Sequence, residues 1–397
     1  MMKNISFLIY CLVFWMALPA FCMADASPQL VPLSTELNES LVYLLSFADR
    51  SRQAPVDFNP HRIENVVDFV LAPKADTVRY QPGKIRGTPS AFIEAILSVS
   101  LRHVLDLAYN PQIPSVLTSP SSIRMAQWRQ INGRPQPLPD LKNMLDNLQT
   151  PVILSGIEYM ENTPDTFSGA YYDYELDRTI ILYRHADRTT FISIAAQKGT
   201  SNVGKKGIIL GADQNWDFLY TGQPGNNLTG LNWAKTYMYD SFSVTVYCET
   251  DAKDPMVNIG LFKWVRAGWA DINLVRTDHI YSGLQRFIQS YKQILESPNL
   301  TDVAALERTC GLIDQLSSDR LRQMTRAYFK NLAVYYAGTS DTARRRIDSV
   351  LKIPDYIEKL SRLEMQSLLF TEYAKKLLGK KYHTELTYLL KTELTRQ

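Results

Sequence analysis

The stretch Gly199-Thr200-Ser201-Asn202-Val203-Gly204-Lys205-Lys206 comes within one residue of spelling a phosphate-binding P-loop. The glycines and Lys205 hold the required spacing, but Lys206 stands where a serine or threonine hydroxyl would hold magnesium. A P-loop also opens a helix, so that backbone amides converge on the phosphate. Here Gly207-Ile208-Ile209-Leu210 follows and reads as a strand. The segment is therefore expected to be a flexible basic hairpin.

Asp173, Glu175 and Asp177 alternate, which places three carboxylates on one face of a strand. Counted as a calcium loop, the sixth and twelfth positions would need glycine and glutamate; they are Arg178 and Arg184. A solvated strand face is the expectation. His185-Ala186-Asp187-Arg188 sets a histidine near a carboxylate, in letters that also make a polar hairpin turn. The chain carries no Gly-x-Ser-x-Gly elbow, no His-Glu-x-x-His pair and no paired-cysteine metal motif. His61, His103, His185 and His279 are scattered. No metal and no cofactor is expected. A hydrolase whose residues are dispersed along the chain stays open, because such sites are recognised by geometry rather than order.

Aromatic density is the more informative pattern. Trp216, Trp233, Trp264 and Trp269 fall within 54 residues, among many tyrosines. Aromatics favour strands and pack cores; they also wall ligand cavities that carry few polar anchors. Along Tyr237–Cys248 the apolar side chains Met238, Phe242, Val244, Val246 and Cys248 alternate with polar ones. Asp240 shares the apolar face, where a carboxylate is costly unless paired or hydrated. It stands either at a wet strand end or in a solvated pocket, with Lys263 and Arg266 as partners if the strands pair. The candidate ligand-binding residues are thus Trp216, Asp240, Phe242, Phe262, Trp264 and Trp269, expected to border one cavity. Cys248 and Cys310 form a candidate disulfide. It would close a loop of about sixty residues, worth about 4 kcal/mol in the chain-entropy model.

The elements that must position these residues read as follows. Residues 27–139 are expected to be mostly helical. The clearest helix spans Ala91–Ala108, through Phe92, Ala95, Ile96, Val99, His103 and Leu107. Six prolines between Asn110 and Pro139 then enforce a loop-rich connection, interrupted by a short helix at Ser121–Gln130 that holds Trp128. Residues 140–297 read as an antiparallel sheet domain with a closing helix. Its strands are expected at Ala170–Leu176, Thr179–Arg184, Thr189–Gln197, Gly207–Leu210, Trp216–Tyr220, Tyr237–Cys248 and Val257–Ala267, with Asp177-Arg178 as a turn. The closing helix runs from about Asp278 to Glu296, carrying Ile280, Leu284, Phe287, Ile288, Tyr291 and Leu295 as its stripe. Residues 298–397 read as a helical module of four or five helices that packs on the sheet domain. Its densest basic spot is Arg344-Arg345-Arg346. The fold class is α+β.

The N-terminus reads as an export signal: Lys3, an apolar run from Ile5 to Ala20, the breaker Pro19 and the small-x-small exit Ala24-Asp25-Ala26. Residues 1–26 are expected to be removed, leaving a mature chain that begins near Ser27 in a periplasmic or secreted compartment. Apolar content of 45% and charged content of 21% allow a real core, and a net charge of +3 gives no field to recruit nucleic acid. The order of helices, antiparallel sheet and long C-terminal helix is similar to that of helix-grip, START-like lipid-binding domains; the resemblance is one of element order alone and implies lipid binding. Three functions are compatible with these features. The first is an exported soluble binding protein for an apolar or amphipathic, lipid-like ligand. The second is a cell-envelope interaction protein that docks a partner, or a membrane surface peripherally, through its helical module. The third is a hydrolase without a readable motif.

Overall fold

The computed structural model describes residues 29–48, 57–75, 77–185, 188–230, 232–250, 256–300, 302–384 and 386. The expected export signal and its exit lie outside the described residues. The chain is α+β. It opens with β1 (Gln29–Pro32), α1 (Thr35–Leu45), α2 (Glu64–Leu71) and β2 (Val78–Gln81), which pairs in parallel with β1. β3 (Ser90–Leu97) and α3 (Leu101–Ala108) replace the single helix expected over this stretch. The apolar spacing there satisfies either period over so short a run. Ser98-Val99-Ser100 divides it, and the Ser100 side chain accepts from the His103 amide to start α3.

After α4 (Ser115–Thr118) comes β4 (Ile123–Ile131), a strand where a short helix around Trp128 was expected. Pairing with the next strand decides it: β4 runs antiparallel to β5 (Val152–Asn162), beyond α5 (Leu141–Asp146). The chain continues through β6 (Ala170–Tyr171), β7 (Asp173–His185), β8 (Arg188–Gln197), β9 (Lys205–Ile209) and β10 (Phe218–Pro224). β11 (Tyr237–Glu249), β12 (Val257–Trp269) and β13 (Ile272–Asn273) follow. Asp177 and Arg178 are mid-strand in β7 rather than a turn, because β7 is paired along its length with β5 and β8.

The main sheet has eight strands in the order β13-β12-β11-β8-β7-β5-β4, with β3 alongside β12. β3 and β13 share the outer edge of β12, β3 from Val257 to Trp264 and β13 at Gly268 and Trp269. Strands from the expected N-terminal helical region therefore belong to the same sheet as the later ones. β10, β9 and β6 make a small second sheet.

One face of the main sheet is covered by α1 and α2. Phe242, Val244, Val246 and Cys248 of β11 and Phe262 and Trp264 of β12 pack there with Leu41, Leu44, Val66 and Val70. The other face is crossed by α6 (Thr277–Leu295), which lies against β3 and β12. Cys248 belongs to the first core and Cys310 to the second, so the sheet stands between them. Both are free buried thiols, and the candidate disulfide does not form. Burial raises both thiols to about 12.

The C-terminal helices are α7 (Val303–Gln315), α8 (Ser318–Ala337), α9 (Asp341–Leu351) and α10 (Arg362–Leu377). They pack on the rest of the chain through polar anchors as well as apolar stripes. Arg124 of β4 reaches Glu161 and, at 2.8 Å, Glu364 of α10, with its guanidinium 3.8 Å from the Tyr220 ring centre. Tyr336 of α8 donates to Asp217 at 2.9 Å, just before β10. Lys375 of α10 joins Asp217 and Glu372, each at 2.6 Å, with both carboxylates and the amine buried. No helix among the described residues is long and apolar enough to cross a membrane.

Candidate functional site

Between the main sheet and α6 lies a cavity of about 1090 Å³. Its floor follows from strand pairing, since directly paired residues in an antiparallel sheet point to the same face. Lys263 of β12 pairs with Ser243 of β11, Ser243 with Ala195 of β8, and Ala195 with Arg178 of β7. That row runs across the middle of the floor. Leu261, Thr245 and Ser193 make the next row on one side; on the other, Val265 pairs with Ser241, and Leu176 with Glu158. The roof is the stripe Ile280, Leu284, Phe287 and Tyr291 of α6. One end is walled by the proline-rich connection through Pro111, Pro114, Pro135 and Pro137, together with Trp128. The opposite rim carries Leu274 and an exposed Phe167, whose ring stacks on His279 with centroids 4.3 Å apart.

Two cations and one carboxylate stand on this floor. Arg178 donates through Nε to Glu158 at 2.5 Å and through Nη1 to the Ser193 hydroxyl at 2.7 Å. Burial works against the Arg178 charge, but Glu158 outweighs it and holds the guanidinium protonated. Lys263 donates to the Ser241 hydroxyl at 2.8 Å and has no carboxylate partner among the described residues. Its remaining accessible surface faces the cavity rather than the outside. Loss of hydration, reinforced by Arg178, lowers the Lys263 amine to about 8. Farther along, Tyr109 after α3, Tyr247 of the floor and Tyr291 of the roof bring their hydroxyls together at 3.3 and 3.5 Å. Burial raises all three, so they stay neutral. The arrangement sets an apolar roof against a floor rich in polar groups, and can enclose an amphipathic body between them.

None of the six candidate residues lines this cavity. Phe242, Phe262 and Trp264 are brought together, but in the solid core under α1 and α2. Asp240 sits near the start of β11, where Arg266 of β12 takes its carboxylate at 2.7 Å; this is the wet strand end, and Arg266 is the partner rather than Lys263. Trp216 adopts a left-handed backbone (φ 56°) ahead of β10 and is buried in the core beyond α6, with the Lys380 amine 4.5 Å from its ring. Trp269 is part-exposed against Trp233, ring centroids 5.5 Å apart.

The candidate residues of the central strands lie on the sheet face that α1 and α2 fill, and only Met238 leaves that face, through an irregularity in the β11–β12 pairing between Met238 and Asp240. One extra residue reverses which face the earlier side chains occupy. Met238 consequently lines the cavity, while Asp240 and Phe242 face away from it. The face of β11 that holds Ser241, Ser243 and Thr245, which reads as the solvated one, is the cavity floor. A lysine flanked by buried Phe262 and Trp264 at the centre of a long strand was the signal for Lys263; Arg178 was obscured by its resemblance to a turn residue.

Of the three alternating carboxylates, Asp173 is held by Asn202 and, at 3.0 Å, by Lys205, and Glu175 by Lys198 at 3.3 Å. No group of three or more His, Cys, Asp or Glu side chains among the described residues is placed to hold a metal ion. The side chain of His185 lies outside what is described. No protein-family model matches the chain, and a search of curated proteins finds no match.

Proposed function

We propose that this protein is an exported binding protein that takes up an apolar or amphipathic, lipid-like small molecule between its main sheet and α6. The observation that carries this reading is the cavity of about 1090 Å³. It lies just above the roughly 300–1,000 Å³ common for small-molecule sites. An apolar roof of Ile280, Leu284 and Phe287 faces a floor rich in polar groups, a division that suits an amphipathic ligand, and two walls of different sequence origin close its sides. A void of this size costs packing energy in a core that has no use for it. α1 and α2 fill the opposite face of the same sheet with side chains, so the emptiness is local to one face.

Native mass spectrometry of the purified protein tests the reading. The expected result is a mass excess that organic extraction removes, and displacement of a fluorescent apolar probe by the extracted material. A clean apoprotein mass together with no uptake of any apolar probe would overturn it. A clean mass with a co-purifying protein would favour the docking function instead.

A further inference from the structure

The floor of the cavity carries one more positive charge than negative. Glu158 and Arg178 satisfy each other at 2.5 Å, while Lys263, across the row from Arg178, has only the Ser241 hydroxyl. An ammonium group has three donors, so two remain for the cavity. A buried charge without a counter-charge is costly, and proteins that keep one commonly use it. The hydroxyls of Ser241 and Ser243, on the strand paired with Lys263, lie beside the amine and can donate to an anion. Leu261 and Val265 flank Lys263 along its strand, and Leu284 and Phe287 face it from α6, so the polar spot is enclosed in apolar surface.

From this arrangement we infer that the ligand is a monoanionic amphiphile of the long-chain carboxylate class, bound head-down, with its carboxylate on Lys263 and its chain along the α6 roof. The inference rests on the binding function proposed above and adds the charge and orientation of the ligand. A single unmatched cation suits a single negative charge; a second charge on the head group would find no second free cation on the floor, because Arg178 is already paired with Glu158. The charge-assisted bond lies in a low-dielectric pocket, where it selects strongly between an acid and the matching neutral head.

The test compares dodecanoate, dodecanol and dodecyltrimethylammonium as competitors of a fluorescent apolar probe, on the full mature chain and on Lys263→Met and Lys263→Arg. Dodecanoate is expected to bind the wild type about tenfold or more tightly than dodecanol. Lys263→Met should abolish that preference while still taking up dodecanol, and Lys263→Arg should retain it. Uptake of dodecanol by Lys263→Met shows that the variant is folded with its cavity intact; should that variant bind nothing, Lys263→Gln gives the second reading of the same loss. Equal binding of acid and alcohol to the wild type, or an acid preference that survives both neutral variants, overturns the inference and leaves the binding function standing. Failure of all three amphiphiles and of the probe would instead remove the binding function itself.

Discussion

Lys263 is the residue on which most of the site's electrostatics turns. Its amine titrates near 8 rather than 10.5, because burial and then Arg178 disfavour the charged form. The unfolded chain therefore holds more protons than the folded one between about pH 8 and 10.5. Stability contributed by this group rises with pH across that window, and the full cost is present below it. The other charged groups facing the cavity are Glu158 and Arg178 on the floor, Arg129 at the proline-rich end, and Asp165, His279 and Arg286 toward the rim, the last held by Asp213 at 2.7 Å. The difference in stability between wild type and Lys263→Met, followed by denaturant titration at a series of pH values, should be largest below pH 8, with the variant the more stable. It should shrink as the pH approaches 10.5. Binding of a carboxylate amphiphile should weaken over the same rise in pH, as the amine loses its proton. A pH-independent difference would show that Lys263 is not the titrating group.

At the scale of elements, the central strands serve two cores at once. Alternation in β12 sends Phe262 and Trp264 toward α1 and α2, and Leu261, Lys263 and Val265 toward the cavity. The two faces can therefore be disabled separately. Phe262 is fully buried among Phe92, Phe69 and Val244, with the Phe92 ring 4.6 Å away. Phe262→Ala should cost about 3–5 kcal/mol in unfolding free energy. Wherever the variant is still folded, it should leave probe uptake near the wild-type level. A large loss of uptake in folded Phe262→Ala would mean that the opposite core shapes the cavity, contrary to the packing seen here.

At the scale of the whole molecule, the C-terminal helices are joined to the sheets by buried ions. Lys375 stays charged despite burial because Glu372 and Asp217 outweigh the loss of hydration, and His383 and Lys375 together hold Asp217 below its ordinary range. Removing the one amine strands two buried carboxylates, so Lys375→Met should destabilise the chain by about 3–5 kcal/mol. Limited proteolysis should then release fragments from residues 302–384 before the main sheet is cut. Cys248 and Cys310, separated by the sheet, supply no covalent tie. A reducing agent should leave the melting temperature unchanged, and a thiol reagent should label both residues only on unfolding. A reductant-dependent drop in melting temperature would show a disulfide in the protein as isolated.

Local pattern was enough to establish the α+β class, the antiparallel pairing of β11 with β12 and the long helix α6. It also established the helical character of the C-terminal module, within which Ser317 caps α8 and Gly338 stops it. Each of these carries a periodicity long enough to exclude its competitor. Local pattern was insufficient at Ser90–Leu97 and Ile123–Ile131, where short apolar runs fit two periods and only pairing with β12 and β5 makes them strands. Alternation along β11 correctly separated two faces from Asp240 to Cys248 but not at Met238, and it carried no information about what each face would meet. The aromatic face met α1 and α2, which fill it. The serine and threonine face met α6 across a gap, and a polar face turned toward a cavity is spelled like one turned toward water. The irregularity at Met238 and Asp240, the partnership of Asp240 with Arg266 and the gathering of Arg178 and Lys263 on one row depend on register between strands far apart in the chain. Register is set by the packing of the whole sheet, which is why those residues could be named from the sequence and their positions relative to one another could not.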